Sequence, residues 1–252
     1  MKKLLFTMFV ALLMVGCGED VNLSTPPVEG KTFTLGVRSM EMLWVKPGTF
    51  EMGSPLSEDE EDRYLDETLH EVTLTSGYWL GKHPVTQAQW QKVMGDNPSH
   101  FKGANRPVEE VSWNDVTSFC EKLTELERKA GRLPTGMTYQ LPTEAQWEYA
   151  CRAGTKTAFS FGEASSELHR HANYADHSDK AHDDGYEGTS PVGSYKANAW
   201  GFHDMHGNVW EWCADWYERN YPTGATRDPI GPAEGSSRVV RSGSWYDKAD
   251  SA

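Results

Sequence analysis

The chain has 252 residues, 38% hydrophobic, 24% charged and 12% aromatic. Its 10 Trp, 10 Tyr and 9 Phe exclude a disordered chain, and the length can bury a sizeable core. A net charge of −13 excludes the basic face that nucleic-acid binding needs and suits an envelope protein or a binder of cations.

In chain order, Met1–Lys3 is a short basic start, and Leu4 to Val15 is an uncharged apolar run. The run is too short to span a bilayer but suits a secretory leader over residues 1–16. Its end, Leu13-Met14-Val15-Gly16-Cys17, resembles a bacterial lipoprotein cleavage box. That reading has the chain cut before Cys17 and a lipid placed on its thiol. The competing reading is an ordinary secretory leader with an incidental Cys. Residues 17–32 then form the lipidated Cys and a polar tether. The expected location is the bacterial cell envelope, lipid-anchored, facing the periplasm or the surface.

Residues 33–252 read as one domain without a fixed-period repeat. Two apolar runs around Pro47-Gly48 predict a hairpin over 42–53. An acidic loop follows over 54–69, then a strand from Glu71 that leads to Tyr78-Trp79. Three helices come next. The first is capped by Thr86 and stops at Gly95. The second starts at Ser112, with Asp115 three residues on and an apolar face of Trp113, Val116, Cys120, Leu123 and Leu126. Thr143 and Gln146 box the third, which Gly154 ends. From Thr155 onward helix signals fade, and loops with a few strands are expected.

Two clusters carry candidate chemistry. The stretch from His169 to Asp184 mixes His169, His171, Asp176, His177, Asp179, His182, Asp183 and Asp184. It reads either as a solvated polar loop or as a site for a hard cation. Asp204, Asn208, Glu211 and Asp215 lie among Trp210, Trp212 and Trp216. If Trp210 and Trp212 share one face of a strand, Glu211 points to the other and needs a partner there. Cys120, Cys151 and Cys213 are odd in number once Cys17 is set aside, and small buried hydrophobes are the simplest reading.

Six segments in succession then carry a resemblance: Trp44–Gly53, Pro84–Trp90, Pro107–Trp113, Leu141–Ala150, Gly207–Trp212 and Arg241–Trp245. From about Leu43 to its end the chain resembles the formylglycine-generating enzyme (sulfatase-modifying factor) family. The resemblance implies an α+β, irregular fold, distantly C-type-lectin-like, with few strands, about three helices and much loop. It implies bound Ca2+ at two places: Asn173, Tyr174, Asp184 and Tyr186 in one, and Asp204, Gly207, Val209 and Glu211 in the other. Active members of the family turn a sulfatase Cys into formylglycine with O2 and Cu(I), held by two Cys five residues apart. Here those positions are Asp247 and Ala252. Neither has the thiolate that Cu(I) requires, so no catalytic residue is assigned and copper is not expected. Cys120 and Cys151 match positions that form disulfides in some relatives. Relatives also run on to a final strand, so the domain is expected to be incomplete at its C-terminus and poorly stable alone.

Two functions follow. The first is an envelope lipoprotein with a binding or assembly role, a lipid anchor in the membrane and a protein or glycan partner. The alternative is a formylglycine-generating oxidase. A third reading, an iron-dependent sulfur-transfer oxygenase, calls for a His-rich helical domain for which these residues leave no room.

Overall fold

The computed structural model describes residues 6–14, 27–37, 39–54, 67–175 and 185–248. The three helices form where their caps predict. Helix α1 spans Gln87–Met94, boxed by Thr86 and Gln89 and closed by Gly95 in the left-handed region. Helix α2 spans Trp113–Lys129, boxed by Ser112 and Asp115. Helix α3 spans Glu144–Arg152, boxed by Thr143 and Gln146; it ends one residue earlier than expected, at Ala153 with φ 49°. A 3-10 helix over Ser165–Arg170 is added in the loop-rich half.

The face of α2 needs one correction. Val116, Phe119, Cys120, Leu123 and Glu127 are buried, whereas Leu126 is 44% exposed. The stripe continues from Leu123 through Glu127. That carboxylate lies inside because Arg132 forks onto both its oxygens at 2.7 and 2.8 Å.

The strands are β1 (Phe6–Thr7), β2 (Ala11–Met14), β3 (Phe33–Leu35), β4 (Met40–Val45), β5 (Gly48–Met52), β6 (His70–Leu74), β7 (Tyr78–Gly81), β8 (Met137–Gln140), β9 (Trp210–Trp216), β10 (Thr226–Arg227) and β11 (Arg238–Arg241). They form a five-stranded sheet in the order β3-β4-β7-β2-β8 and two three-stranded sheets, β10-β6-β5 and β1-β9-β11. The expected hairpin over 42–53 is not formed. Strand β4 pairs with β3 and β7, and β5 pairs with β6 in another sheet. Pro47 cannot donate to a ladder and has a fixed φ, so the chain turns a corner there instead of folding back. It returns to the first sheet between Leu74 and Tyr78. The expected strand from Glu71 to Trp79 is therefore two strands broken at Thr75–Gly77.

Helix α2 packs on β8 and α1, while α3 packs on β5, β9 and β11. One apolar core, containing Met42, Trp79, Trp90, Phe119 and Leu123, lies under α1 and α2. The second, with Phe9, Val72, Tyr78, Trp147 and Cys213, lies under α3. Strand β9 alternates as anticipated: Glu211, Cys213 and Asp215 are buried, and Trp210, Trp212 and Trp216 take the opposite face. That face is itself covered, since the Arg238 guanidinium lies between the rings of Trp113 and Trp216, 3.7 and 3.4 Å from their centroids. Cys120, Cys151 and Cys213 are unpaired and buried, as small hydrophobes would be. Among the described residues no helix is long and apolar enough to cross a membrane.

The expected leader also has a place in this fold. Residues 6–14 supply β1 and β2, with β2 in the interior of the five-stranded sheet. Cys17 lies outside the described residues.

Candidate functional site

The loop from Gly201 to Val209 leads into β9 through backbone shapes that few side chains tolerate. Asp204, Gly207 and Asn208 have φ of 59°, 74° and 66°. At Gly207 a Cβ would lie 2.3 Å from the Asn173 carbonyl oxygen, so only glycine allows the two strands of chain to touch. Contact there lets the Asn208 N–H donate to that carbonyl at 2.7 Å.

A third segment completes the knot. The Ser242 carbonyl accepts from the Gly207 N–H, and its hydroxyl donates to the carbonyls of Asp204 (3.2 Å) and Gly207 (3.1 Å). The Trp245 N–H donates to the Asn208 carbonyl, and the Ala175 N–H to that of Asp247. Three distant stretches, around 173, 207 and 244, therefore meet at one place.

Two carboxyls are buried there. Asp204 accepts the Gly193 N–H at 2.7 Å, yet burial pushes its pKa up to about 6. Glu211 is fully buried, and burial holds its pKa well above the usual carboxylate range. The Trp147 indole N–H donates to its Oε2 at 2.6 Å, but its Oε1 has no partner. Thr7, paired in register with Glu211 across β1 and β9, also has an unpartnered buried hydroxyl. Such orphaned atoms are costly unless an ion or water meets them.

This donor set fits a hard cation. Calcium takes carboxylate and carbonyl oxygens, and binding it would deprotonate Glu211 and give Oε1 its missing partner. Among the described residues no group of three His, Cys, Asp or Glu side chains is arranged to hold a metal ion, so such a site depends on backbone oxygens as well. The Gly207 carbonyl already accepts from Ser242 Oγ and the Val209 N–H. A cation there would compete with the Ser242 hydroxyl.

The other expected cation group is brought close in part. Asn173 bridges Gly207 and donates from Nδ2 to the Gly188 carbonyl at 2.8 Å. Tyr174 is the next residue, and the Tyr186 ring faces Arg106 at 5.7 Å. Asp184 lies outside the described residues, as do Asp176, His177, Asp179, His182 and Asp183. His169 and His171 do not join the knot. The His169 Nδ1 lies against the Ser166 carbonyl, and the His171 ring stacks on Phe161 at 4.2 Å.

Asp247, expected from the resemblance to stand where active relatives carry a thiolate, closes a local turn. Its carboxylate accepts from Ser244 Oγ, and its N–H donates to the Ser244 carbonyl. Ala252 lies outside the described residues. The remaining thiols are remote from thiolate character: burial raises Cys120 and Cys151 to about 12, and Cys213 well above its ordinary value.

Sequence reading missed one charged cluster beside this knot. Arg241 donates to Glu148 at 2.8 Å and approaches Glu144 at 3.3 Å and Glu67 at 3.4 Å. Glu148 also accepts from Arg152 and from the Gly53 N–H, and Arg152 donates to the Gly53 carbonyl. The spacing of Glu144, Glu148 and Arg152 along one face of α3 was the available signal. A separate open cleft of about 760 Å³ lies at the start of α1, lined by His83, Thr86, Gln89, Lys92 and Asn105 among others.

A loop-rich α+β domain, held together by a buried carboxylate knot that joins three distant segments, is the class defined by this fold and site. The chain belongs to the sulfatase-modifying factor family, whose enzyme 1-like domain matches residues 30–252. It is 33% identical to the formylglycine-generating enzyme of Mus musculus over 182 residues, which cover 70% of this chain and 44% of that protein. It is also 33% identical to the chaperone protein LppX of Paenibacillus barcinonensis over 216 residues, covering 72% and 73% of the two chains. Among solved structures it resembles Treponema denticola variable protein 1, with a TM-score of 0.73, 30% identity and 88% and 89% of the two chains covered. The chain thus spans less than half of the mouse enzyme's length.

Proposed function

We propose that this chain is a lipid-anchored envelope protein whose sulfatase-modifying-factor domain serves in binding or assembly and does not oxidise cysteine. The carrying observation is Asp247. A carboxylate engaged with Ser244 stands where the family's oxidases place a copper thiolate, and a hard oxygen ligand does not suit Cu(I). The three described thiols are buried and held protonated, so none of them offers a ready substitute. The similarity to a protein named as a chaperone favours an assembly role with a protein partner. Anchoring through Cys17 rests on the leader and its cleavage box. Calcium bound by Asp204, Glu211 and nearby carbonyls gives the knot its rigidity in this reading, supported by the orphaned Glu211 Oε1.

The 33% identity to a formylglycine-generating enzyme supports the alternative, an oxidase. Incubation with Cu(I), O2 and a Cys-x-Pro-x-Arg peptide separates the two. The proposal expects no aldehyde by mass spectrometry; catalytic turnover to formylglycine would overturn it.

A further inference from the structure

The cleft at the start of α1 shares none of its lining residues with the knot. Its volume of about 760 Å³ is that of a small-molecule site. The chain carries 37 acidic residues against 24 basic ones, yet no Asp or Glu lines this cleft. Lys92 does line it and has no carboxylate partner among the described residues. Glu41, whose charge reaches His83 on the wall, is itself paired with Lys82 at 2.9 Å.

Gln89 gives the cleft a donor in a fixed position. The residue is 3% exposed, and its Oε1 accepts from the Thr86 N–H at 2.9 Å, the return bond of the capping box. That bond settles which end of the amide is which and leaves Nε2 over. Nε2 has no partner among the described residues and is not sealed in, so it opens on the cleft that Gln89 lines. Lys92 lies three residues on, so its ammonium and the Gln89 amide serve the same face of α1. The helix N-terminus is not the attraction, because the N–H groups of Gln87 and Ala88 already donate to the carbonyls of Arg106 and Ala104.

His83 supplies the complementary function. Its Nδ1 lies 2.9 Å from the Pro84 carbonyl, which can only accept, so Nδ1 carries the proton. Burial lowers the pKa of the ring and keeps it neutral, which leaves Nε2 as an acceptor. The Asn105 carbonyl accepts from the Val192 N–H at 2.8 Å and ties two further lining segments together.

A cation beside a directed amide donor matches a carboxylate, which accepts from both. A neutral imidazole acceptor matches a hydroxyl on the same molecule. We propose that this cleft binds a small hydroxylated carboxylate of the sugar-acid class, its carboxylate held by Lys92 and Gln89 and one hydroxyl donated to His83 Nε2. The inference is independent of the lipid anchor, of calcium and of the oxidase question.

The test uses the full chain with D-glucuronate as the probe, followed by amide NMR shifts. Saturable shifts are expected at 88–92, 104–105 and 192. D-glucose lacks the carboxylate and acetate lacks the hydroxyls, and each is expected to bind at least about 10-fold more weakly. Lys92→Gln should weaken glucuronate on the order of 10-fold. Gln89→Glu is the sharper variant. Glu serves the same capping box, so helix content by circular dichroism stays unchanged, while the donor becomes a carboxylate oxygen that repels the ligand. Its affinity should fall on the order of 100-fold. No saturable binding of millimolar glucuronate to the native chain, shifts centred on 204–211, equal binding of glucose or acetate, or undiminished affinity in both variants would each overturn the proposal. A uronate-terminated oligosaccharide separates the two sources of this chemistry. Tighter binding than the monosaccharide assigns the cleft to a glycan end, and equal binding assigns it to the free acid.

Discussion

At the scale of single residues, Glu211 decides the chemistry of the knot. Its side chain is fully buried, holds one hydrogen bond from Trp147 and leaves Oε1 bare. In a metal-free protein burial favours its neutral form, so Glu211→Gln is expected to leave the melting temperature within a few degrees of wild type. With calcium the two proteins part. If calcium binds as proposed, wild type at about 100 times its dissociation constant is expected to gain about 2.7 kcal/mol, a rise of several degrees for a domain of this size. The Gln variant is expected to lose most of that rise. Scanning calorimetry in chelator and in calcium checks it, and an equal calcium shift in both would exclude Glu211 as a ligand. What was legible at this scale is local: the alternation along β9, with Glu211 on its buried face, and the glycine at position 207. What sequence could not give was the convergence of Asn173, Gly207 and Ser242, which are separated along the chain and joined by backbone hydrogen bonds that any residue type could supply.

At the scale of elements, α3 and β11 are joined by a charge cluster with a built-in pH dependence. Arg241 and Arg152 hold Glu148 below the usual carboxylate range in spite of its burial. Glu144, farther from the guanidinium, is pushed by burial to about 7. A carboxyl raised on folding contributes stability that is complete below its unfolded value near 4.5 and is lost as pH rises through about 7. Asp215, which accepts from the Glu144 N–H, is raised to about 6 and acts in the same direction. Stability in chelator is therefore expected to fall between pH 4.5 and 7. Glu144→Gln should flatten that slope by an amount on the order of 1–3 kcal/mol. Denaturant titrations across this range check it, and an unchanged slope in the variant would remove Glu144 from the account. The helix boundaries themselves were legible, since each is fixed by a cap within four residues of sequence. Pairing of β4 and β5 was not. Alternation marks strands but not their partners, and a Pro corner sends neighbouring strands into separate sheets. Leu126 was misplaced for a related reason: Glu127 takes the inner position once Arg132 neutralises it.

At the scale of the molecule, one family fold carries two features that bear on function. The interior of its largest sheet is completed by residues that also have the composition of a secretory leader. Composition identifies an apolar run of this length equally well as either, which is why the strand was not legible before the fold was known. The second feature is Asp247, which the resemblance of six motifs to the family sets at the place of a copper-binding Cys. That carboxylate accepts from Ser244 Oγ, an engagement that supports the non-oxidase proposal.

The most direct measurement is a Cu(I) competition titration against a chromophoric chelator, comparing the native chain with an Asp247→Cys/Ala252→Cys double variant. The account predicts that the native chain leaves the chelator's copper in place and that the double variant withdraws about one equivalent. Stoichiometric, high-affinity Cu(I) binding by the native folded chain, matching that of the double variant, would contradict it and return the protein to the oxidases.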